Sequence, residues 1–192
     1  MTTGQNYNHP KKGSIIRVEP ITSIEDIQRI KNYLADSPRN LAIFIVGINT
    51  NLRASDLTKI TIGQVKDLKP MDVLTLREKK TGKVRKINLN AACIRAIQGY
   101  LDTIRAGDDE PLFDITVPSL SRLVKGWCRE IGLDGNYAGH SLRKTFARIH
   151  YFEFGTKIAT LMTMLNHSSP AMTLKYIGVQ PEEVEAAYER EI

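Results

Sequence analysis

LNHSSPAMTLKYIG, residues 165–178, holds a histidine at 167 and a tyrosine at 176. One continuous helix, advancing about 100° per residue, would turn these two side chains roughly 180° apart. The stretch argues against that. Ser168 and Ser169 favour an N-cap, and Pro170 suits the first turn of a new helix while breaking an old one. The chain is therefore predicted to turn here, with one helix ending near His167 and another starting near Pro170. That arrangement can aim both side chains at one point.

Working outward, the period stays mostly helical. Ser23 followed by Asp26 opens a helix whose Ile24, Ile27, Ile30 and Leu34 are expected along one face. LAIFIVGI at 41–48 reads as a buried core helix within 39–51, and a short helix follows at 54–59. The period then changes to two. Residues 73–77 and 84–89 alternate as strands around the turn KTGK at 80–83, which predicts a basic β-hairpin. Helices are predicted again at 91–105, 119–131, 141–154, 156–166, 170–177 and 181–190. The expected fold class is mainly α with a small antiparallel β-sheet (α+β).

At 192 residues, the chain can bury one domain. The formal net charge is +6, yet the last twelve residues hold five glutamates against Arg190. Residues 1–180 thus carry 26 basic and 16 acidic residues, a formal +10. A basic body beside an acidic tail suits a polyanion such as nucleic acid. Cys93 and Cys128 lie in helical patterns without a CxxC pair, so neither a disulfide framework nor a thiolate zinc site is expected. No secretory leader or membrane-length apolar run is read, which fits a reducing cytosol.

Three further stretches carry candidate chemistry. In GHSLRKT, 139–145, His140 and Arg143 stand three apart at a predicted helix start, where the positive helix end favours a phosphate. Taken alone, the tetrapeptide from His140 to Arg143 fits better a capping histidine and a merely exposed arginine. In NLRASDL, 51–57, Arg53 precedes a short helix and Asp56 can orient it; an arginine fork can grip two oxygens of one phosphate. Alone, Arg53 reads as an ordinary helix-end residue. The hairpin turn supplies Lys79, Lys80 and Lys83.

In this order and context, Arg53, Lys80, His140, Arg143, His167 and Tyr176 resemble the tyrosine recombinases, the phage integrase family. The resemblance spans roughly residues 20–180, and it is most specific in GHSLRKTFA at 139–147 and LNHSSPAMTLKYIG at 165–178. It implies the tyrosine recombinase catalytic-domain fold and a site-specific recombinase acting on double-stranded DNA at the nucleoid. Tyr176 would attack a phosphodiester and become joined to the 3′-phosphate. His140 would take the phenol proton, Arg53 and Arg143 would clamp the non-bridging oxygens, and His167 would donate to the same phosphate. Lys80 would protonate the departing 5′-oxygen, although Lys79 and Lys83 flank the same turn. No cofactor, metal or ATP is implied, because the arginines supply charge and the phosphotyrosine keeps the bond energy. His150 is expected to be a partly buried helix residue.

Two positions depart from the family pattern. Asn51 and Asn166 stand where glycine is usual, and asparagine tolerates unusual backbone angles. The expected organisation is a basic N-terminal arm at 1–20, a catalytic domain at 21–180 and a C-terminal helix or tail at 181–192, without an N-terminal core-binding domain. That fits either a naturally short recombinase or a fragment of a longer integrase. The tail could pack on its own domain or dock on another copy in a dimer or tetramer on DNA. The rival readings are a type IB topoisomerase-like enzyme, for which the chain is small, a DNA-binding regulator that lost its chemistry, and a metal-dependent nuclease, which would show grouped carboxylates.

Overall fold

The computed structural model describes residues 18–77, 82, 84–178, 185, 188, 189 and 191. Its helices are α1 (Ile24–Tyr33), α2 (Pro38–Asn49), α3 (Ala54–Leu57), α4 (Ala91–Leu101), α5 (Val117–Glu130), α6 (Gly139–Phe152), α7 (Ile158–Leu165) and α8 (Pro170–Ile177). Between α3 and α4 lie a 3₁₀ turn at Ile62–Gln64 and the strands β1 (Val73–Arg77) and β2 (Val84–Asn88). The fold class is mainly α with a two-stranded antiparallel sheet, as expected.

Local sequence sets several of these boundaries. The Ser23 hydroxyl accepts from the Asp26 amide at 3.0 Å and starts α1. Thr116 caps α5 through the Ser119 amide at 3.3 Å. Ser169 caps α8 through the Met172 amide at 3.3 Å, with Pro170 as its first helical residue. The helix expected over 91–105 ends at Leu101.

One expectation for α1 fails. Ile27, Ile30 and Leu34 are buried, but Ile24 is 44% exposed. At helical spacing Ile24 lies roughly a quarter turn from the other three, so it misses the side that packs on α2 and α5.

The core gathers α2 between α4 and α6, with α5 closing over it. Ala42, Ile43, Phe44 and Val46 of α2 are fully buried, and the Phe44 ring meets Trp127 of α5 edge-on at 6.0 Å. Each of the three larger side chains, Ile43, Phe44 and Val46, contributes about 1.5–3 kcal/mol. Gly47 lets α2 approach α6 closely. A Cβ there would sit 2.5 Å from the Leu142 Cδ1. This contact fixes α6, whose first two turns carry His140 and Arg143, against a helix that runs through the apolar core.

In the hairpin, Leu74 pairs with Ile87 and Leu76 with Arg85. Leu74 and Leu76 are buried, so the inner face of the sheet carries an arginine at the register position opposite Leu76. Lys80 and most of 181–190 fall outside the described residues.

Candidate active site

Asn166 ends α7 in the left-handed region at φ 55°, which turns the chain before α8 begins. The expected two-helix arrangement follows. The rings of His167 and Tyr176 lie 5.2 Å apart, centre to centre, at 75°. Asn51 likewise adopts φ 49° ahead of Arg53. Both asparagines therefore occupy the backbone region that glycine would take freely.

His140 reaches the same point from the first turn of α6. The Ser141 hydroxyl accepts from the Ala138 amide at 3.0 Å and shapes that turn. The Tyr176 hydroxyl lies 2.5 Å from the His140 Nε2. A phenol donating to an unprotonated Nε2 is the arrangement a proton acceptor requires.

Arg143, one turn further along α6, is only 2% exposed. Its guanidinium donates to the Asn51 carbonyl and the Leu165 carbonyl, each at 2.7 Å. Its Cζ lies 5.9 Å from the centre of the Tyr176 ring. A fork held at two corners is fixed before any ligand arrives, which lowers the entropy lost on binding an anion. Arg53 occupies the N-cap position of α3 without a side-chain cap bond, and its Nη1 lies 3.9 Å from the buried Asp56 carboxylate. Asp56 thus stands within ion-pair range of Arg53, with no hydrogen bond between these two atoms.

Burial pushes the Tyr176 phenol up to about 12, with the charges of Arg143, Arg53 and Arg85 pulling against it. At neutral pH the hydroxyl is therefore protonated and needs a base before it can attack. Burial, with the same three cations behind it, lowers the His167 pKa and keeps that ring neutral. The His167 Nδ1 lies 2.9 Å from the hydroxyl of the fully buried Thr173. When that hydroxyl donates to Nδ1, the ring proton resides on Nε2, which makes His167 an uncharged donor.

The structure thus brings five of the six expected residues together: Arg53, His140, Arg143, His167 and Tyr176. Lys80 lies outside the described residues. His150 is a half-buried α6 residue beside Thr156, and burial lowers its pKa. Among the described residues, no group of three or more His, Cys, Asp or Glu side chains could hold a metal ion, and no helix is long and apolar enough to cross a membrane.

Sequence reasoning missed two participants. Arg85 of β2 donates to the Asn51 Oδ1 and, at 2.5 Å, to the Met164 carbonyl. Its position in the strand alternation, in phase with Ile87 and Leu89, was the available signal. Lys144 donates to the Val18 carbonyl at 2.8 Å and lies 5.7 Å from the Tyr176 ring centre.

Comparison with known proteins identifies the family and the fold. The model of the phage integrase family matches residues 21–183. The chain is 36% identical over 179 residues to the probable integrase/recombinase YoeC of Bacillus subtilis (strain 168), covering 89% of this chain and 95% of that protein. It is 33% identical over 178 residues to the tyrosine recombinase XerC of Caldanaerobacter subterraneus subsp. tengcongensis, covering 86% of this chain and 49% of that one. It therefore spans nearly all of the first relative and about half of the second. Among solved structures, the XerA recombinase superposes with a TM-score of 0.71 at 23% identity, over 91% of this chain and 66% of that chain. The XerH recombinase in a post-cleavage DNA complex gives 0.73 at 18%, over 92% and 54%. At these identities the two structures establish the fold alone. Family match, relatives and fold lead to one statement: this chain belongs to the phage integrase family, with the fold of a tyrosine recombinase catalytic domain.

Proposed function

We propose that the chain is a site-specific DNA recombinase that cuts and rejoins strands through a covalent 3′-phosphotyrosine, in the integration, excision or inversion of a mobile element. The observation that carries this reading is the 2.5 Å approach of the Tyr176 hydroxyl to the His140 Nε2, beside the fixed fork of Arg143.

The Tyr176 oxygen attacks the phosphorus while its proton passes to the His140 Nε2. The bond from phosphorus to the 5′-oxygen breaks, and that oxygen leaves as a hydroxyl after receiving a proton. Lys80 is the proposed donor, on the family resemblance. Arg143 and Arg53 neutralise the charge that gathers on the non-bridging oxygens in the five-coordinate transition state, and neutral His167 donates to the same phosphate. Resealing is the reverse: a 5′-hydroxyl attacks the phosphotyrosine, and His140 returns its proton to the phenolate. No step consumes ATP, because the ester bond energy is kept.

Double-stranded DNA is the proposed partner and the nucleoid the proposed place of action. The formal +10 of residues 1–180 supports a polyanionic ligand. The organisation proposed is an arm at 1–20, a catalytic domain at 21–180 and a tail at 181–192 that docks on a second copy.

The test is incubation with nicked half-site duplexes in EDTA, followed by a denaturing gel. The wild-type chain should yield a protein–DNA adduct, and Tyr176→Phe should lower its formation at least about a thousandfold while still binding DNA. An adduct of undiminished yield in Tyr176→Phe refutes the nucleophile. A wild-type chain that binds DNA but forms none favours a regulator that lost its chemistry.

A further inference from the structure

The candidate site rests on a polar junction that the proposed chemistry does not itself use. Asn51, 5% exposed, lies at its centre. Its carbonyl accepts from the Arg143 guanidinium at 2.7 Å. Its Nδ2 donates to the Met164 carbonyl at 2.9 Å, and its Oδ1 accepts from Arg85. Arg85 donates in turn to the same Met164 carbonyl at 2.5 Å. The neighbouring Leu165 carbonyl takes the other corner of Arg143.

These two carbonyls belong to the last turn of α7, whose C-terminal oxygens have no partner within the helix and carry the negative end of its dipole. Two guanidiniums and one amide therefore converge on the helix end that leads directly to Asn166 and His167. The residue joining them immediately precedes Leu52 and Arg53. One junction thereby ties together four segments: β2, the loop holding Arg53, the first half of α6, and the end of α7.

Backbone conformation alone does not account for asparagine at 51. At φ 49° a glycine would sit without the strain of a Cβ. What asparagine adds is the pair of side-chain bonds to Arg85 and Met164.

We propose that Asn51 and Arg85 are positioning residues that set the mutual alignment of Arg53, Arg143 and His167 around the scissile phosphate. The proposal rests on the recombinase reading above. It assigns the pair no contact with DNA, so its loss should slow cleavage and leave binding in place. Displacing oriented groups by a fraction of an ångström in such a site costs roughly ten- to hundredfold in rate.

The experiment measures single-turnover adduct formation, DNA affinity and thermal unfolding for the wild type, Asn51→Gly, Arg85→Gln and the double variant. Asn51→Gly keeps the backbone free to adopt its native angle, so it remains informative if Arg85→Gln fails to fold. The expected result is a roughly tenfold slower cleavage in Asn51→Gly, DNA affinity within about twofold of wild type, and a double variant no slower than the worse single one. A second substrate carries a methylphosphonate at the scissile position, which removes the negative charge that the aligned arginines stabilise. On it the Asn51→Gly defect should shrink to near parity with wild type, which a general loosening of the fold would not produce. Unchanged cleavage in Asn51→Gly, an equal defect on both substrates, or a loss confined to affinity overturns the proposal. A wild-type chain without adduct overturns the parent reading and this one with it; a reactive wild type beside an equally reactive Asn51→Gly overturns only this one.

Discussion

The two sides of the domain are held by different forces. Around α1, α2, α4 and α5 the interior is a continuous apolar cluster, with Phe44, Leu120 and Val124 fully enclosed. Beneath α7 and α8 the apolar cluster is small: Phe146, Ala147, Leu161, Leu165 and Ile177. Buried arginines take over there. Arg143 bonds the end of α7, and Arg148 donates to the Gly178 carbonyl at the end of α8 at 2.8 Å. The Thr145 hydroxyl accepts from the Ile21 amide at 2.8 Å and ties in the incoming chain. The apolar side needs only shape and volume, whereas the polar side needs particular donors at particular carbonyls. On the proposed function, Arg143 serves at once as a cation offered to the phosphate and as part of the scaffold.

The sharpest way to break this contrast is a pair of alanine substitutions. Phe44→Ala should lose about 3–5 kcal/mol of stability through the cavity it leaves. Arg143→Ala should lose about 2–4 kcal/mol, because the carbonyls of Asn51 and Leu165 are left without their donors. Denaturant unfolding and adduct kinetics on the folded fraction separate the two. Phe44→Ala should keep cleavage close to wild type, and Arg143→Ala should lower it at least about a hundredfold. Equal cleavage losses would mean that the two sides are not functionally distinct.

A pH profile sharpens the polar side further. With the Tyr176 phenol held at about 12, a His140→Ala chain must rely on the small phenolate fraction. That fraction grows about tenfold per pH unit as pH rises toward 12, so log rate against pH should climb with a slope near one between about pH 7 and 9.5. The wild type, with a base in place, should give a flatter profile. Parallel slopes in the two proteins would remove His140 from the role of proton acceptor.

The smallest effect concerns the tautomer of His167. Thr173→Val keeps the buried volume near that of threonine but removes the hydroxyl beside Nδ1. Without it the imidazole can place its proton on either nitrogen, and cleavage should fall by about tenfold or less, with little change in DNA affinity. An unaltered rate would show that the hydroxyl serves packing alone.

Much of this arrangement was legible in the chain. Ser168, Ser169 and Pro170 announced the break that lets His167 and Tyr176 face each other. Asn51 and Asn166 tolerate positive φ, and both adopt it. Local chemistry of this kind is written in neighbouring residues. Ile24 was misread because apolar spacing records a face but not where other helices press upon it. Arg85 was missed for the opposite reason. Strand alternation put it in phase with inward residues, yet its acceptor on Met164 lies 79 positions away and exists only once α7 has ended beside the hairpin.

The central claim is that Tyr176, rather than any other tyrosine, becomes joined to DNA. Tryptic digestion of the trapped adduct, after nuclease trimming, yields a peptide running from Tyr176 to Arg190 that also contains Tyr188. Fragmentation by mass spectrometry then locates the nucleotide. A nucleotide joined through a phosphodiester is expected on Tyr176 alone; a nucleotide on Tyr188, or on any residue outside this peptide, would contradict that claim.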